Sequence, residues 1–461
     1  MDRTSLSERS RVLPRGALTH LVALDRPGMS GLAELLVAPD RAVSGSVEEA
    51  SDDLAERLRV RGIQVHRGHG PTSVPHETSR LIYPEGISRL HPERLRAARL
   101  GAEQSTLVDA IREVSTVGDS IVVIGRRVAR VAATMIGWVL IENDLDPTLI
   151  LGSEIPDRLG QGRAGVGPFS VLDLPDSLWN EGVISERTKL ALVLDVGDVT
   201  PLQRRGLAAM AEALPSSAIL LGSSREPILR EMAESTSARV ERVSIDDQPT
   251  SDWWGADLRE RDGRYRFRTF HEGRFRLEVG LSCHGRRYVE AALAAIAACH
   301  LLEIGSRPIR EALEEYLGAS RAFDMKGTYR GVTMIDDDAV EPSDVAETLA
   351  LARMVYGGRR LWAVYAPRES SRVPVAGFES ADHVLFVGAA PETADRPSFV
   401  DSSPSTSRRA RVGYAADRDE AVRDLDRLLE PGDVLVTLGT SDTGTIADAF
   451  IRRLPRDRRA R

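Results

Sequence analysis

The sequence predicts an α/β protein of three successive blocks, each organised around a largely parallel sheet. Two observations carry this. Short apolar runs alternate with stretches of helical periodicity along most of the chain, the pattern of strand–crossover–strand units. The chain is also long enough, at 461 residues, for several domains of ordinary size. With 42% hydrophobic and 28% charged residues it can supply each block with a core, which excludes wholesale disorder.

The first block opens with the apolar run Leu21–Leu24, read as a strand, and a helix over Gly28–Val37. A strand and turn follow at Val43–Ser46, then a helix over Leu54–Arg61 and extended segments at Gly62–Val65 and Arg80–Tyr83. The second block begins with a buried strand at Asp119–Ile124 that ends in Gly125. Its helix carries Val128, Val131, Ala132, Met135 and Val139 on one side. Further strands are expected at Phe169–Leu172, Leu190–Leu194 and Ala218–Leu221, and a tightly packed alanine-rich helix at Tyr288–Leu302. The third block starts near Ala319, with strands at Gly331–Ile335, Leu361–Tyr365, His383–Val387 and Val434–Leu438. Pro391–Arg411, rich in Pro, Ser and Arg, reads as an exposed loop. The six arginines of Arg452–Arg461 read as a solvated end rather than an anion-docking tail.

Composition removes several function classes. A net charge of -8 gives no global attraction to nucleic acid or to an anionic membrane. Two cysteines, Cys283 and Cys299, cannot build a disulfide framework or a four-cysteine zinc site. No apolar run is long enough for a membrane span, and Met1–Arg15 lacks the apolar stretch of a secretory signal, so a cytoplasmic protein is expected. Of the 61 basic residues only Lys189 and Lys326 are lysines. Any chemistry that needs an ammonium group has two places to find one.

A series of short motifs then narrows the choice. They are His20–Ala33, Val43–Ser46, Gly62-Ile63 with Gly68-His69, Pro92-Glu93, Leu145–Thr148, Asp336-Asp337 with Pro342, Tyr365–Arg368 with Ser371-Arg372, and Gly432–Gly439. In order and spacing they resemble the landmarks of the Mur ligases, and most closely the branch that joins L-alanine to UDP-N-acetylmuramate. The resemblance implies a three-domain Mur ligase architecture. A Rossmann-like N-terminal domain over 1–112 would hold a UDP-sugar, and a central P-loop-type α/β domain over 113–318 would hold ATP and magnesium. A Rossmann-like C-terminal domain over 319–461 would supply the amino-acid site. The family's reaction forms an acyl phosphate from a carboxylate and ATP, which an amino group then attacks.

Against that pattern the chemistry-bearing positions depart. A P-loop needs glycines that turn backbone N–H groups onto phosphates, a lysine for the β- and γ-phosphates, and a Ser/Thr for magnesium. Where the family has G-T-H-G-K-T-T, this chain has Gly125-Arg126-Arg127-Val128-Ala129-Arg130-Val131. The lysine position is Ala129 and the magnesium-binding threonine position is Arg130. Asp173–Asp176 stands for the family's acidic E-A-D-E, and Asp195–Val199 lacks its metal-ligand histidine. Gly285–Ala291 lacks the histidine and asparagines that face the nucleotide in the family. Asp336–Asp344 has lost both family histidines, and Arg321 is followed by Ala322 in place of a second arginine. The three acids Asp336–Asp338 are not expected to hold a metal, because neighbours on a strand point to opposite faces. At the sugar end, Ala23, Asp25, Arg26 and Pro27 replace a glycine-rich turn, and Glu85 adds another acid.

These departures imply no catalytic residue, no metal ligand and no bound cofactor, with ATP and magnesium confined to the parent family. Ser30, Ser46, His69 and Arg372 are the positions at which a UDP-sugar contact could survive, with a structural helix-start or loop role the alternative for Ser30, Ser46 and His69. The reading is a Mur-ligase-like protein without catalysis, a scaffold or regulator of peptidoglycan precursor synthesis. Its expected partner is an active Mur ligase or another protein of that route. Two alternatives stay open on sequence alone. One is an active ligase in which Arg126, Arg127 or Arg130 replaces the lysine. The other is a sensor that binds a nucleotide sugar without chemistry.

Overall fold

The alternating pattern resolves into three sheets in the computed structural model. It describes residues 18–38, 41–48, 52–156, 158–179, 182–245, 251–367, 376–388, 400–401, 410–439 and 441–452. The first sheet has strands β1 (Leu18–Leu21), β2 (Ala42–Val47), β3 (Gln64–Arg67), β4 (Thr78–Tyr83) and β5 (Glu103–Thr106), in the order β3-β2-β1-β4-β5. Every pairing is parallel. Helices α1 (Met29–Leu36), α2 (Asp52–Val60), α3 (Pro92–Leu100) and α4 (Leu107–Ser115) make the crossovers. Helix α4 starts on a capping box in which Thr106 and Asp109 bond each other's backbone N–H.

The apolar run Leu21–Leu24 is not itself the first strand. The strand ends at Leu21, and the chain turns at Ala23, whose φ is +57°. Val22 and Leu24 stay fully buried and bond the neighbouring strands through Val22 N–H to Ile82 O and Leu24 N–H to Ser46 O. The turn is inside the protein, so its residues are as apolar as the strand before it.

The second sheet has ten strands in the order β15-β14-β13-β12-β11-β10-β6-β9-β7-β8. Its parallel centre is β6 (Asp119–Ile124), β9 (Phe169–Leu174), β10 (Thr188–Val193), β11 (Ile219–Ser223) and β12 (Arg239–Ile245). Strands β7 (Thr148–Ile150) and β8 (Gly162–Arg163) form one edge. Helix α5 (Arg127–Glu142) leaves β6, and the alanine-rich helix α8 (Arg286–Leu301) packs along it; α6 (Pro201–Glu212), α7 (Pro227–Ser235) and α9 (Ser306–Glu315) complete the layer. The other edge is a meander of three long strands, β13 (Trp253–Arg261), β14 (Arg264–His271) and β15 (Arg274–His284), which sequence reading missed. Its arginine-rich alternation hides the apolar face. The signal lay in the turns: Asp262-Gly263 and Glu272-Gly273 all have positive φ, as two-residue hairpin loops require.

The third sheet runs β16-β17-β22-β18-β19-β21-β20. Its strands are β16 (Asp324–Tyr329), β17 (Val332–Asp337), β18 (Leu361–Ala366), β19 (His383–Val387), β20 (Val400–Asp401), β21 (Arg411–Ala415) and β22 (Val434–Gly439). The two edge strands β16 and β20 are antiparallel to their neighbours. Helices α10 (Pro342–Tyr356), α11 (Arg418–Leu428) and α12 (Ser441–Ile451) cover it. Adjacent residues on β17 feed two separate cores: Ile335 packs with Leu349, Tyr365 and Phe378, while Met334 packs with Val364, Leu435 and Phe450.

The chain divides into two compact units. The first runs to Leu317 and includes the first two sheets; Glu260–Tyr265 and Cys283–Gly285 group instead with the second, from Gly318 onward. Within the first unit one apolar cluster is continuous across both sheets, from Leu21 and Leu32 through Leu107 and Ile111 to Leu174 and Trp179. Among the described residues no helix is long and apolar enough to cross a membrane. Most of Pro391–Arg411 and the tail beyond Arg452 lie outside the described residues.

Candidate functional site

The start of α5 is the position at which the resemblance places phosphate chemistry. Strand β6 delivers Gly125 there with φ +148°, and a Cβ on Gly125 would fall 1.8 Å from the carbonyl oxygen of Leu194. Only glycine lets the end of β10 pass so close. The residue after Leu194 is Asp195, and its carboxylate turns into the helix start. Oδ1 accepts from the N–H of Arg126 at 3.1 Å and of Ala129 at 3.0 Å, and Oδ2 accepts from Val128 N–H at 2.8 Å. These are orphan donors of the first helical turn, and the positive end of the helix dipole favours an anion there. Burial nevertheless pushes Asp195 up to about 7, against the pull of the three amides and with a further push from the Glu226 carboxylate.

The arginines of the segment are engaged elsewhere. Arg126 reaches past the helix start to the carbonyl of Asp198 at 3.1 Å. Arg130 lies beside Asp173, the first of the two acids at the family's acidic motif, and attracts its charge. Asp173 Oδ2 also accepts from Gly152 N–H at 2.9 Å, yet burial dominates and lifts its pKa to about 6. A cavity of about 200 Å³ opens next to Val128, walled by Leu194, Val243, Ile245 and Leu293, with the acids Asp195, Glu226 and Glu290 on its lining. It lies beyond the carboxyl ends of β10, β11 and β12, where open α/β sheets place ligands. Burial also raises the pKa of Glu226, whose carboxylate accepts from the amides of Val196 and Gly197.

In the first sheet, Ser46 and His69 come together and Ser30 does not join them. Ser46 Oγ donates to Glu93 Oε2 at 3.0 Å and accepts from Ala23 N–H at 3.1 Å. His69 Nδ1 lies 3.0 Å from Ser46 Oγ and 3.2 Å from Glu93 Oε1. His20 completes the network, with Nδ1 2.9 Å from Ser44 Oγ and Nε2 3.0 Å from Glu93 Oε2. His20, Ser44, Ser46 and Glu93 are all fully buried. From sequence, Ser46 and His69 are expected as ligand contacts, whereas His20 and Glu93 are read only as parts of landmark motifs; the register of β1 against β2, which pairs His20 with Ser44, helps bring the set together. Ser30 instead bonds Gln161 Oε1 at 2.6 Å. Arg372 lies outside the described residues.

In the second unit Asp336 and Asp337, neighbours on β17, turn their carboxylates to different partners. Asp336 accepts from Arg321 Nε at 3.2 Å and Thr437 Oγ1 at 2.8 Å. Asp337, on the other face, accepts from the N–H groups of Phe323 and Ala339 and from Thr348 Oγ1. Burial raises the pKa of Asp336, while Arg321 and Lys326 pull it down. Lys326 itself pairs with Asp324 at 2.9 Å. Among the described residues no group of three or more His, Cys, Asp or Glu is arranged to hold a metal ion.

Comparison with known proteins agrees with this architecture. Residues 323–441 match the Mur ligase, glutamate ligase domain. Over 453 residues the chain is 26% identical to a UDP-N-acetylmuramate--L-alanine ligase of Persephonella marina, covering 93% of this chain and 95% of that protein. A protein of the same name from Gloeobacter violaceus is 27% identical over 456 residues, covering 96% and 97%. Among solved structures, the UDP-N-acetylmuramate-alanine ligase of Thermotoga maritima shares the fold with a TM-score of 0.75 at 17% identity, over 94% of this chain and 98% of that one. A murein peptide ligase from Psychrobacter arcticus does so with a TM-score of 0.70 at 16% identity, over 95% and 98%. Motifs in register, three sheets in the same architecture and similarity along nearly the full length lead to one conclusion: the chain carries a Mur ligase C-terminal domain over residues 323–441 and resembles the Mur ligases over the rest of its length.

Proposed function

We propose that this chain is a catalytically silent Mur ligase relative that scaffolds or regulates peptidoglycan precursor synthesis through contact with an active ligase. The observation that carries the reading is the charge exchange at the start of α5. Ala129 and Arg130 stand where the reaction needs an ammonium and a magnesium-holding hydroxyl, and Arg130 faces Asp173 where an acid would face the metal. The residues present do not fit a magnesium nucleotide: the three amides are engaged by Asp195, and the adjoining cavity sets the carboxyl groups of Asp195, Glu226 and Glu290 against a single cation, Arg225, which is bonded to the Ile245 carbonyl. Transition-state charge stabilisation of the kind a P-loop lysine supplies is worth about 10² to 10³ in rate for a single donor, and more for a full cation. The assignment to peptidoglycan synthesis follows the names of the relatives along whose whole length the chain aligns.

The test is calorimetric titration of the purified chain with ATP–magnesium and with UDP-N-acetylmuramate, beside an assay for ATP consumption with both substrates and L-alanine. Neither ATP binding nor turnover is expected. Sustained ATP consumption would sink the reading. Binding of the UDP-sugar without turnover would move it to a sensor that uses the first sheet.

A further inference from the structure

Three backbone N–H groups converging at a helix start form the cradle in which proteins hold phosphate oxyanions. Here Arg126, Val128 and Ala129 donate to both oxygens of a single carboxylate, at 3.1, 2.8 and 3.0 Å. The segment that presents Asp195 is fixed from both sides. Leu194 N–H bonds Ile124 O at 3.0 Å, which ties it to the strand that precedes the cradle. Glu226 accepts from the amides of Val196 and Gly197, which ties down the residues that follow. Asp195 is held at φ +34°, in the left-handed region that side-chain-bearing residues seldom occupy. The backbone is therefore bent specifically to turn this carboxylate inward.

We propose that Asp195 is a built-in plug, a tethered carboxylate that fills the oxyanion cradle of α5 and keeps phosphate-bearing ligands out. The inference rests on the silent-site reading above and gives it a mechanism. A tethered anion bonds the amides without giving up translational freedom, so a free phosphate must compete with an effective concentration in the millimolar range or higher. Glu226 and Glu290 line the same cavity; its one cation, Arg225, is bonded to the Ile245 carbonyl, so the acids outnumber it and disfavour a polyphosphate. The cradle itself is intact. Its donors are main-chain groups, which substitution of the lysine and threonine positions does not remove.

The experiment compares the full chain with Asp195→Gly and Asp195→Asn, using inorganic pyrophosphate as the probe at about pH 8, where the plug is ionised. Glycine adopts the positive φ freely and opens the cradle. Asparagine tolerates the same backbone and keeps the shape without the charge. Asp195→Gly is expected to bind pyrophosphate at least about tenfold more tightly than the wild type, with a melting temperature that rises by a few degrees at millimolar ligand. A folded Asp195→Gly protein that binds no better than wild type overturns the plug. So does a wild type that already binds as tightly as the variant. If the glycine variant does not fold, Asp195→Asn decides on the same criterion with a smaller gain. Wild-type ATP consumption, measured in parallel, tests the silent-site reading separately and leaves the pyrophosphate comparison to judge the plug.

Discussion

Replacing Asp173 by asparagine is expected to stabilise the protein above neutral pH, although the acid has an arginine partner. Asp173 is 6% exposed near the end of β9, where the Gly152 amide bonds it at 2.9 Å and Arg130 lies alongside. Burial outweighs both and lifts its pKa from 3.8 to about 6. The folded chain thus holds this proton more tightly than the unfolded one. The resulting stability is fully present below about pH 4 and is lost as the pH rises through about 6. Two pKa units are worth about 3 kcal/mol. Asparagine has the shape of the protonated acid, keeps an acceptor for Gly152 and has nothing to ionise. At about pH 8 Asp173→Asn should therefore exceed the wild type by about 3 kcal/mol, and the two should converge near pH 4. Urea unfolding followed by tryptophan fluorescence reads this directly; Trp179 is fully buried in the same unit. Taking the difference between the two proteins at each pH cancels the other titrations. A variant less stable than wild type at about pH 8, or a difference that does not change with pH, would mean that the Arg130 pairing outweighs burial and would refute the reasoning.

Three further outcomes follow from the same physics. Glu93→Ala leaves His20, Ser46 and His69 without their shared buried acceptor and should cost about 3–5 kcal/mol, read as lost hydrogen-exchange protection across β1 and β2; a loss under about 1 kcal/mol would contradict the network. Burial lowers the pKa of His66 and His91, so the unfolded chain takes up those protons first, and the stability they contribute is present above about pH 6.5 and lost as the pH falls. His66→Asn should flatten part of that loss in thermal melts taken between about pH 7 and pH 5, and an unchanged profile would rule out His66 as a contributor. Gly125→Ala drives a Cβ into the Leu194 carbonyl and should cost about 3 kcal/mol or more in urea unfolding; a near-neutral effect would show that β10 can move away from the helix start.

What could be read from the sequence follows what each signal depends on. The parallel strands β6, β10, β18 and β22 stood out because they are buried on both faces and read as unbroken apolar runs. The meander β13–β15 did not, because its outer face is arginine and its inner face surfaces only every second residue. The site divides the same way. The departures expected at the start of α5 come from the sequence, because a motif fixes their spacing. Asp195 as the occupant of that helix start was not legible. It lies close to seventy residues further along, and only the parallel pairing of β6 with β10 brings it there. Glu93 was legible as part of a motif but its role was not: a single acid on a helix acquires one only when β1 and β2 set His20, Ser44 and Ser46 beside it.

A nucleotide–magnesium site leaves two unbalanced demands once its ligand is absent: amides that need an acceptor and acids that need a cation. Left unmet in a buried setting, each costs about 1–3 kcal/mol, and more where a charge is stranded. In this chain both are met from within. Asp195 satisfies the amides, and Arg130 faces the acid at Asp173. The two answers are complementary in sign, an anion for the phosphate and a guanidinium for the metal, and in the proposed reading they add to the missing lysine at Ala129. A lysine restored at that position alone would leave Asp195 bonded to the same three amides. Reopening the cradle requires removing the tethered anion first, which is why substitution at Asp195, and not at Ala129, is the decisive change.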